Sequence, residues 1–361
     1  AYEISLGLVG SEMCIRDRYG ALLVVPVYFI GRMIFNRKAG IIAAFIVALI
    51  PIHLSSGHGS AYSLYDHDSF ILLLVTTSIM FLMMSLREKD SIKSMAFACL
   101  SGVFVASITM TWVSSHYIYA LIGLYGIVQM LIDIITQRIN VKVVRTVLLS
   151  LFTGYFLSFP VLWVKFGLSP TLQLFIPVIV AVFSIIYLWI GKKNIPWVIS
   201  LPSIFAVAIV FLIFFYLIKG TTNPYLMPLE KISEIIFGKG IYGKKVSLTI
   251  AEASTFDFSR TVMSFGPALY WLGWLGFFLL IYRYYKKGLP KEYMTLIIWF
   301  LVESWLVSVA GRFLNDLVPL MAILGGGILW FAINKINFAS MIKTIKSVGG
   351  GLYGFKNGVK I

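Results

Sequence analysis

Two cysteines in 361 residues, Cys14 and Cys99, leave neither a disulfide framework nor a zinc-finger spacing. Charge is scarce as well. Asp, Glu, Lys and Arg make up 12% of the chain, against roughly 25% in a soluble domain. Acids are the scarcer sign, 15 against 30 Lys and Arg, for a net charge of +15. Such an excess suits nucleic acid when it forms a face or a tail stripe. Here the basic residues sit in short clusters between apolar runs, which excludes a nucleic-acid partner and makes the clusters topology signals. No tetrapeptide repeat, collagen period or low-complexity tract occurs, and no soluble domain of useful size can be cut from the chain. What is abundant is apolar: 59% of residues are hydrophobic and the mean hydropathy is +0.91. The fold class expected is an all-α polytopic membrane protein.

The first residues are set aside before fold reasoning. Glu12-Met13-Cys14-Ile15-Arg16-Asp17 is what GAG-ATG-TGT-ATA-AGA-GAC encodes, a string that looks like the mosaic end of a transposase sequencing adaptor. Residues 1–18 are therefore expected to be read-through that packs against nothing, the alternative being a short amphipathic leader. From Tyr19 onward, eleven apolar runs are long enough, or nearly so, to cross a bilayer core of about 30 Å. They cover 20–35, 39–52, 69–86, 93–111, 115–135, 145–163, 171–190, 196–218, 262–282, 292–310 and 313–333. The second is short and is expected to stop early, ahead of Pro51. The chain thus divides into spans over 19–218 with an acidic loop at 53–68, a long loop at 219–261, further spans over 262–333 and a basic tail at 334–361.

Every second loop is basic. Loops 31–38, 87–93, 138–145, 191–193 and 283–291 hold fifteen of the thirty Lys and Arg residues, whereas 53–68, 112–116 and 164–170 hold only Lys165. The positive-inside rule makes the basic loops cytoplasmic and the others external. Three features then share one outer face. The first is Asp66-His67-Asp68, at the end of a polar loop and the start of an apolar run. On an extended or turning segment residues 66 and 68 share a side, which suits a hard divalent cation held by oxygen ligands. The same acids also suit a helix N-cap beside the positive end of the dipole.

The second feature is Glu252 in the glycine-rich long loop, within Ser247-Leu248-Thr249-Ile250-Ala251-Glu252-Ala253-Ser254; by itself it reads as a solvated glutamate. The third is Arg312, at the junction Gly311-Arg312-Phe313. Its guanidinium fork suits phosphate oxygens, and snorkelling to lipid headgroups is the alternative. Glu303 is a charge inside an apolar run, where ionisable residues are costly and often functional. His53, His58 and His116 also fall near the outer face, as ligands or as polar lining.

With these features in hand, the chain resembles the catalytic subunit of N-linked oligosaccharyltransferase in its archaeal AglB-type form, over about residues 19–345. Gly20-Ala21-Leu22-Leu23-Val24-Val25-Pro26-Val27-Tyr28 with Gly40-Ile41-Ile42-Ala43-Ala44 looks like the helix pair before the family's second acidic motif. Tyr65-Asp66-His67-Asp68 looks like that motif, Asp-x-Asp/Glu/His. Thr249-Ile250-Ala251-Glu252 is similar to the Thr-Ile-x-Glu motif of the fifth external loop, and Gly311-Arg312-Phe313 with Pro319 looks like the late arginine region. The resemblance implies a thirteen-helix glycosyltransferase fold of GT-C type. The eleven spans fit as its second to twelfth helices, a fragment truncated at both ends. No Trp-Trp pair stands for the Trp-Trp-Asp signature that reads the acceptor, and the loop before Asp66 lacks the usual Ser-Arg-Ser.

The implied reaction moves an oligosaccharide from a dolichyl phosphate or pyrophosphate to Asn in an Asn-x-Ser/Thr acceptor polypeptide, with inversion, on the external face of the cell membrane. By the resemblance Asp66 and Asp68 hold Mg2+ or Mn2+, Glu252 approaches the metal and the acceptor amide, and Arg312 clamps the lipid phosphate. Asp66 and Glu252 are the catalytic pair in this reading. The 361 residues alone, without the first external loop and the acceptor-reading domain, are expected to be inactive. Two other classes compete. A transporter or flippase of a lipid-linked substrate would place ionisable residues near the midplane and show internal repeats. Another glycosyltransferase using a polyprenyl-phosphate sugar would pass it to water or lipid.

Overall fold

The computed structural model describes residues 21–50, 68–112, 114–166, 172–218, 258–309 and 311–335. Every regular element among them is helical. In chain order these are α1 (Val24–Ile34), α2 (Arg37–Leu49), α3 (Asp68–Arg87), α4 (Ser91–Thr111), α5 (His116–Ile135) and α6 (Val141–Phe166). There follow α7 (Leu172–Lys193), α8 (Trp197–Ile218), α9 (Phe258–Phe265), α10 (Pro267–Lys286) and α11 (Lys291–Val309). A 3-10 turn (Gly311–Leu314) and α12 (Val318–Lys335) complete the described part. Six of these helices, α3 to α7 and α12, are long and apolar enough to cross a membrane. This is the pattern of an integral membrane protein.

Short capped turns connect the helices at the basic end. Asn36 accepts from Ala39 N–H at 2.9 Å at the start of α2. Asp90 accepts from Ile92 N–H at 2.8 Å at the start of α4, and Asn140 accepts from Lys142 N–H at 2.9 Å at the start of α6. Each short polar side chain takes up a first-turn N–H that has no partner within the helix. The helix α2 ends at Leu49 with Ile50 as its cap, because the residue before Pro51 is pushed out of helical geometry.

Two expected spans are subdivided. The run 262–282 is split into α9 and α10 by Gly266, whose φ of 78° lies in the left-handed region that only glycine enters freely. Pro267 then opens α10, its fixed φ suited to a first turn and its missing N–H not needed there. The run 313–333 starts later than the apolar pattern suggests. Residues 311–314 form the 3-10 turn and α12 begins at Val318. Pro319 sits in its first turn, the position where proline is tolerated. Within the first run, 20–35, a turn at Leu23 precedes α1, which runs from Val24 to Ile34.

Packing is closest between α4 and α6, α3 and α4, α10 and α12, and α12 and α2. Small and hydroxylated residues let these backbones approach, the usual device where lipid removes a hydrophobic force between helices. Ser78 and Ser101 lie 3.1 Å apart across α3 and α4. Ser85 is 2.9 Å from Thr146 of α6, and Ser150 donates to the Ala98 carbonyl at 3.0 Å. At Gly326 of α12 an added Cβ would lie 2.7 Å from the Ala43 nitrogen of α2. Gly326→Val is therefore expected to destabilise the bundle by about 1–3 kcal/mol, the usual penalty for overpacking. A lower unfolding midpoint in detergent checks it, and an unchanged midpoint would refute the close approach. Outward, α8 exposes Val198, Ile199, Phe205 and Val207 as a lipid-facing surface.

Hydrogen bonds tie the basic loops to one another. Arg87 donates to the Met33 carbonyl at 3.0 Å, Arg145 to Ser91 at 2.7 Å, and Lys142 to the Leu86 carbonyl at 2.7 Å. Tyr293 of α11 donates to the Ile34 carbonyl at 2.5 Å. The deepest element here is the carboxylate of Asp133 on α5. It accepts from Gln129 at 2.8 Å, from Tyr187 of α7 at 3.1 Å and from Lys291 of α11 at 3.1 Å. Basic loops that alternate along the chain thus gather at one end of the bundle, and the start of α3 and the 3-10 turn lie at the opposite end.

Candidate active site

At the end opposite the basic loops, four elements meet around a small cavity. Its lining comes from Ile71 and Val75 of α3, Trp112 just after α4, Tyr117 of α5, and Phe313, Asn315 and Asp316 around the 3-10 turn. The cavity measures about 20 Å³, and about 10–15 Å³ suffices for one water or hydroxyl group. The rings of Trp112 and Tyr117 meet edge-on, 6.3 Å between centroids, and make its aromatic wall.

Under that wall lies Glu303 of α11, with no exposed surface. Its Oε1 accepts a short hydrogen bond from the Tyr117 hydroxyl and another from the Trp299 indole N–H at 3.1 Å. Oε2 has no hydrogen-bond partner among the described residues. The indole comes from one turn earlier on the same helix, where residues four apart face each other.

The sequence-predicted residues fall differently. Asp66 and Glu252 lie outside the described residues. Asp68 is the first residue of α3, and Arg312 stands in the 3-10 turn; their side chains are outside the described set. The elements that carry these two converge on the cavity nonetheless, since Ile71 follows Asp68 by three residues and Phe313 adjoins Arg312. Among the described residues no three His, Cys, Asp or Glu side chains gather as a metal site. The donor set expected for a metal, two carboxylates around Asp66 and Asp68, is of hard oxygens and fits Mg2+ or Mn2+ rather than a thiolate-binding ion.

Sequence reasoning passed over Tyr117, Trp299 and Asp316. Glu303 carried a signal, as a charge in an apolar run, but its partners come from α5 and from its own helix and have no spacing that marks them. His116 begins α5, and His53 and His58 lie outside the described residues.

Comparison with known proteins places this geometry in context. A family model described as "Oligosaccharyl transferase STT3, N-terminal" matches residues 18–352. A dolichyl-phosphooligosaccharide-protein glycotransferase 3 from Archaeoglobus fulgidus is 24% identical over 314 residues, which is 78% of this chain. The chain spans 34% of that relative's length. Two solved structures share the fold. One is the apo form of the Archaeoglobus fulgidus oligosaccharyltransferase, with TM-score 0.74 at 18% identity over 96% of this chain and 42% of that one. The other is AglB of Archaeoglobus fulgidus in complex with an inhibitory peptide and a dolichol-phosphate, with TM-score 0.73 at 18% identity over 94% of this chain and 41% of that one. With the family model covering nearly the whole chain, this protein belongs to the oligosaccharyltransferase STT3 family.

Proposed function

We propose that this chain is the membrane-embedded part of an oligosaccharyltransferase that moves a glycan from dolichyl phosphate or pyrophosphate to Asn of an Asn-x-Ser/Thr acceptor. One observation carries the reading: the elements bearing Asp68 and Arg312 converge on a single cavity at the end remote from the basic loops. A transporter would instead set its ionisable groups along the bundle interior near the midplane. Here the buried acid of that kind, Glu303, lies beneath the cavity. The positive-inside rule puts this cavity on the external face of the cell membrane.

The chemistry follows from the residue types. Asp66 and Asp68 hold Mg2+ or Mn2+, which when bound neutralises charge developing on the leaving phosphate. Arg312 grips phosphate oxygens of the lipid, its fork matching two of them at once. Glu252 accepts from the acceptor carboxamide. A carboxamide nitrogen is a weak nucleophile because its lone pair is delocalised into the carbonyl, and hydrogen bonds to both amide hydrogens disturb that delocalisation. Attack from the face opposite the leaving phosphate inverts the anomeric carbon.

Arg312 supplies the direct test. Arg312→Ala is expected to weaken binding of dolichyl phosphate by roughly tenfold or more, the loss of a charged hydrogen bond of about 1.5–3 kcal/mol. Arg312→Lys recovers only part, because an ammonium lacks the two-pronged geometry. Native mass spectrometry of the purified chain with dolichyl phosphate reads both. Equal affinity for the three proteins would sink the phosphate role.

A further inference from the structure

Tyr117 has a hydroxyl fixed in direction. Its O–H donates to Glu303 Oε1, so its oxygen keeps only acceptor capacity for anything entering the cavity that Tyr117 lines. Asn315 brings an amide oxygen to the same lining, and Trp112 and Phe313 bring aromatic surface. A neutral hydroxyl would find acceptors for its hydrogen, and the cavity is of a size for one hydroxyl group. The other side of Glu303 is equally fixed: the Trp299 indole N–H holds the same Oε1 at 3.1 Å, on a carboxyl with no exposed surface. An unanchored Tyr117 hydroxyl could turn its hydrogen toward the cavity and lose this polarity.

We propose that Glu303 is a positioning residue that holds Tyr117 as an acceptor on the cavity wall, and that the cavity receives a hydroxyl of the sugar on the lipid-linked donor. The inference rests on the lipid-linked saccharide reading above and extends it. The phosphate goes to the turn carrying Arg312, and the first sugar lies beside it, over Asn315, Asp316 and Tyr117. Glu303 acts only through Tyr117.

The test uses the purified 361-residue chain and two probes, dolichyl phosphate and dolichyl phosphoglucose, with binding read by native mass spectrometry. Tyr117→Phe is expected to weaken the sugar-bearing lipid about three- to tenfold, the effect of one hydrogen bond, and to leave dolichyl phosphate within about twofold. Glu303→Leu gives the same selective loss, and Glu303→Gln, which keeps an acceptor oxygen, restores sugar-lipid binding. Should Glu303→Leu fail to fold, Tyr117→Phe alone still separates the two lipids. The double change Glu303→Leu with Tyr117→Phe is no weaker than Tyr117→Phe, because both remove the same contact. Equal weakening of both lipids, an additive double variant, or full sugar-lipid affinity in Tyr117→Phe overturns the inference. Binding of neither lipid by the unaltered chain overturns the lipid-linked reading itself and this extension with it.

Discussion

Asp133→Ala is expected to destabilise the bundle by about 3–5 kcal/mol, the range for removing one partner from a buried ion pair. Asp133 is 5% exposed and Lys291 is 21% exposed, with 3.1 Å between their charged atoms. Loss of the carboxylate strands the Lys291 ammonium and frees Gln129 and Tyr187, both of which point their donors at it. Three helices, α5, α7 and α11, lose their common fastening at the basic end. The rest of the connection goes with it, since the Tyr187 oxygen also accepts from the Asn140 N–H at 2.6 Å, where α6 begins. Unfolding in detergent, followed by circular dichroism, measures the effect. The control is a paired change, Asp133→Asn with Lys291→Met, which removes both charges and is expected to recover most of the stability. An apolar or neutral replacement of a whole buried pair is often harmless, whereas half a pair is not. A paired variant as unstable as Asp133→Ala would show that the site acts through packing and not through charge.

Asp66→Asn is expected to remove most Mn2+ binding by the chain and to stop transfer to an Asn-x-Thr peptide in a full-length protein that carries it. An amide is a neutral and poorer ligand for a hard cation than a carboxylate. The loss should exceed the roughly 10–100-fold that follows from disturbing a mere outer-shell partner. Asp68→Asn should act in the same direction, and Glu252→Gln should spare metal binding while abolishing transfer. Electron paramagnetic resonance of Mn2+ titrated into the purified chain separates ligand from non-ligand directly. Unchanged Mn2+ affinity in Asp66→Asn would leave the acidic triplet with its other reading, a helix cap at the start of α3.

Much of the fold was legible from the chain itself. The positions of the long apolar runs, the alternation of basic loops and the early stop of α2 before Pro51 all depend on residues adjacent in sequence. Bilayer thickness, the exclusion of charge and the geometry of proline act locally, so a local pattern carries them. The break at Gly266 was less legible. A glycine in an apolar run is common in membrane helices, and the positive φ of Gly266 belongs to the folded turn between α9 and α10. The late start of α12 has a similar origin, because apolar residues 313, 314 and 317 are buried as a turn over the end of the bundle.

The candidate site divides along the same line. Asp66, Asp68, Glu252 and Arg312 are candidates through their resemblance to the family's ordered motifs, and hard-cation and phosphate chemistry suits those side chains. Residue order alone thus specifies an all-α membrane protein with its basic loops on one side. It took the packed bundle to bring the Tyr117 hydroxyl to Glu303 across 186 residues, and Lys291 to Asp133 across 158. Such pairings depend on which helix faces lie against each other in three dimensions. A buried carboxyl needs donors, but any helix that brings them near will serve, and no spacing along the chain records which one does.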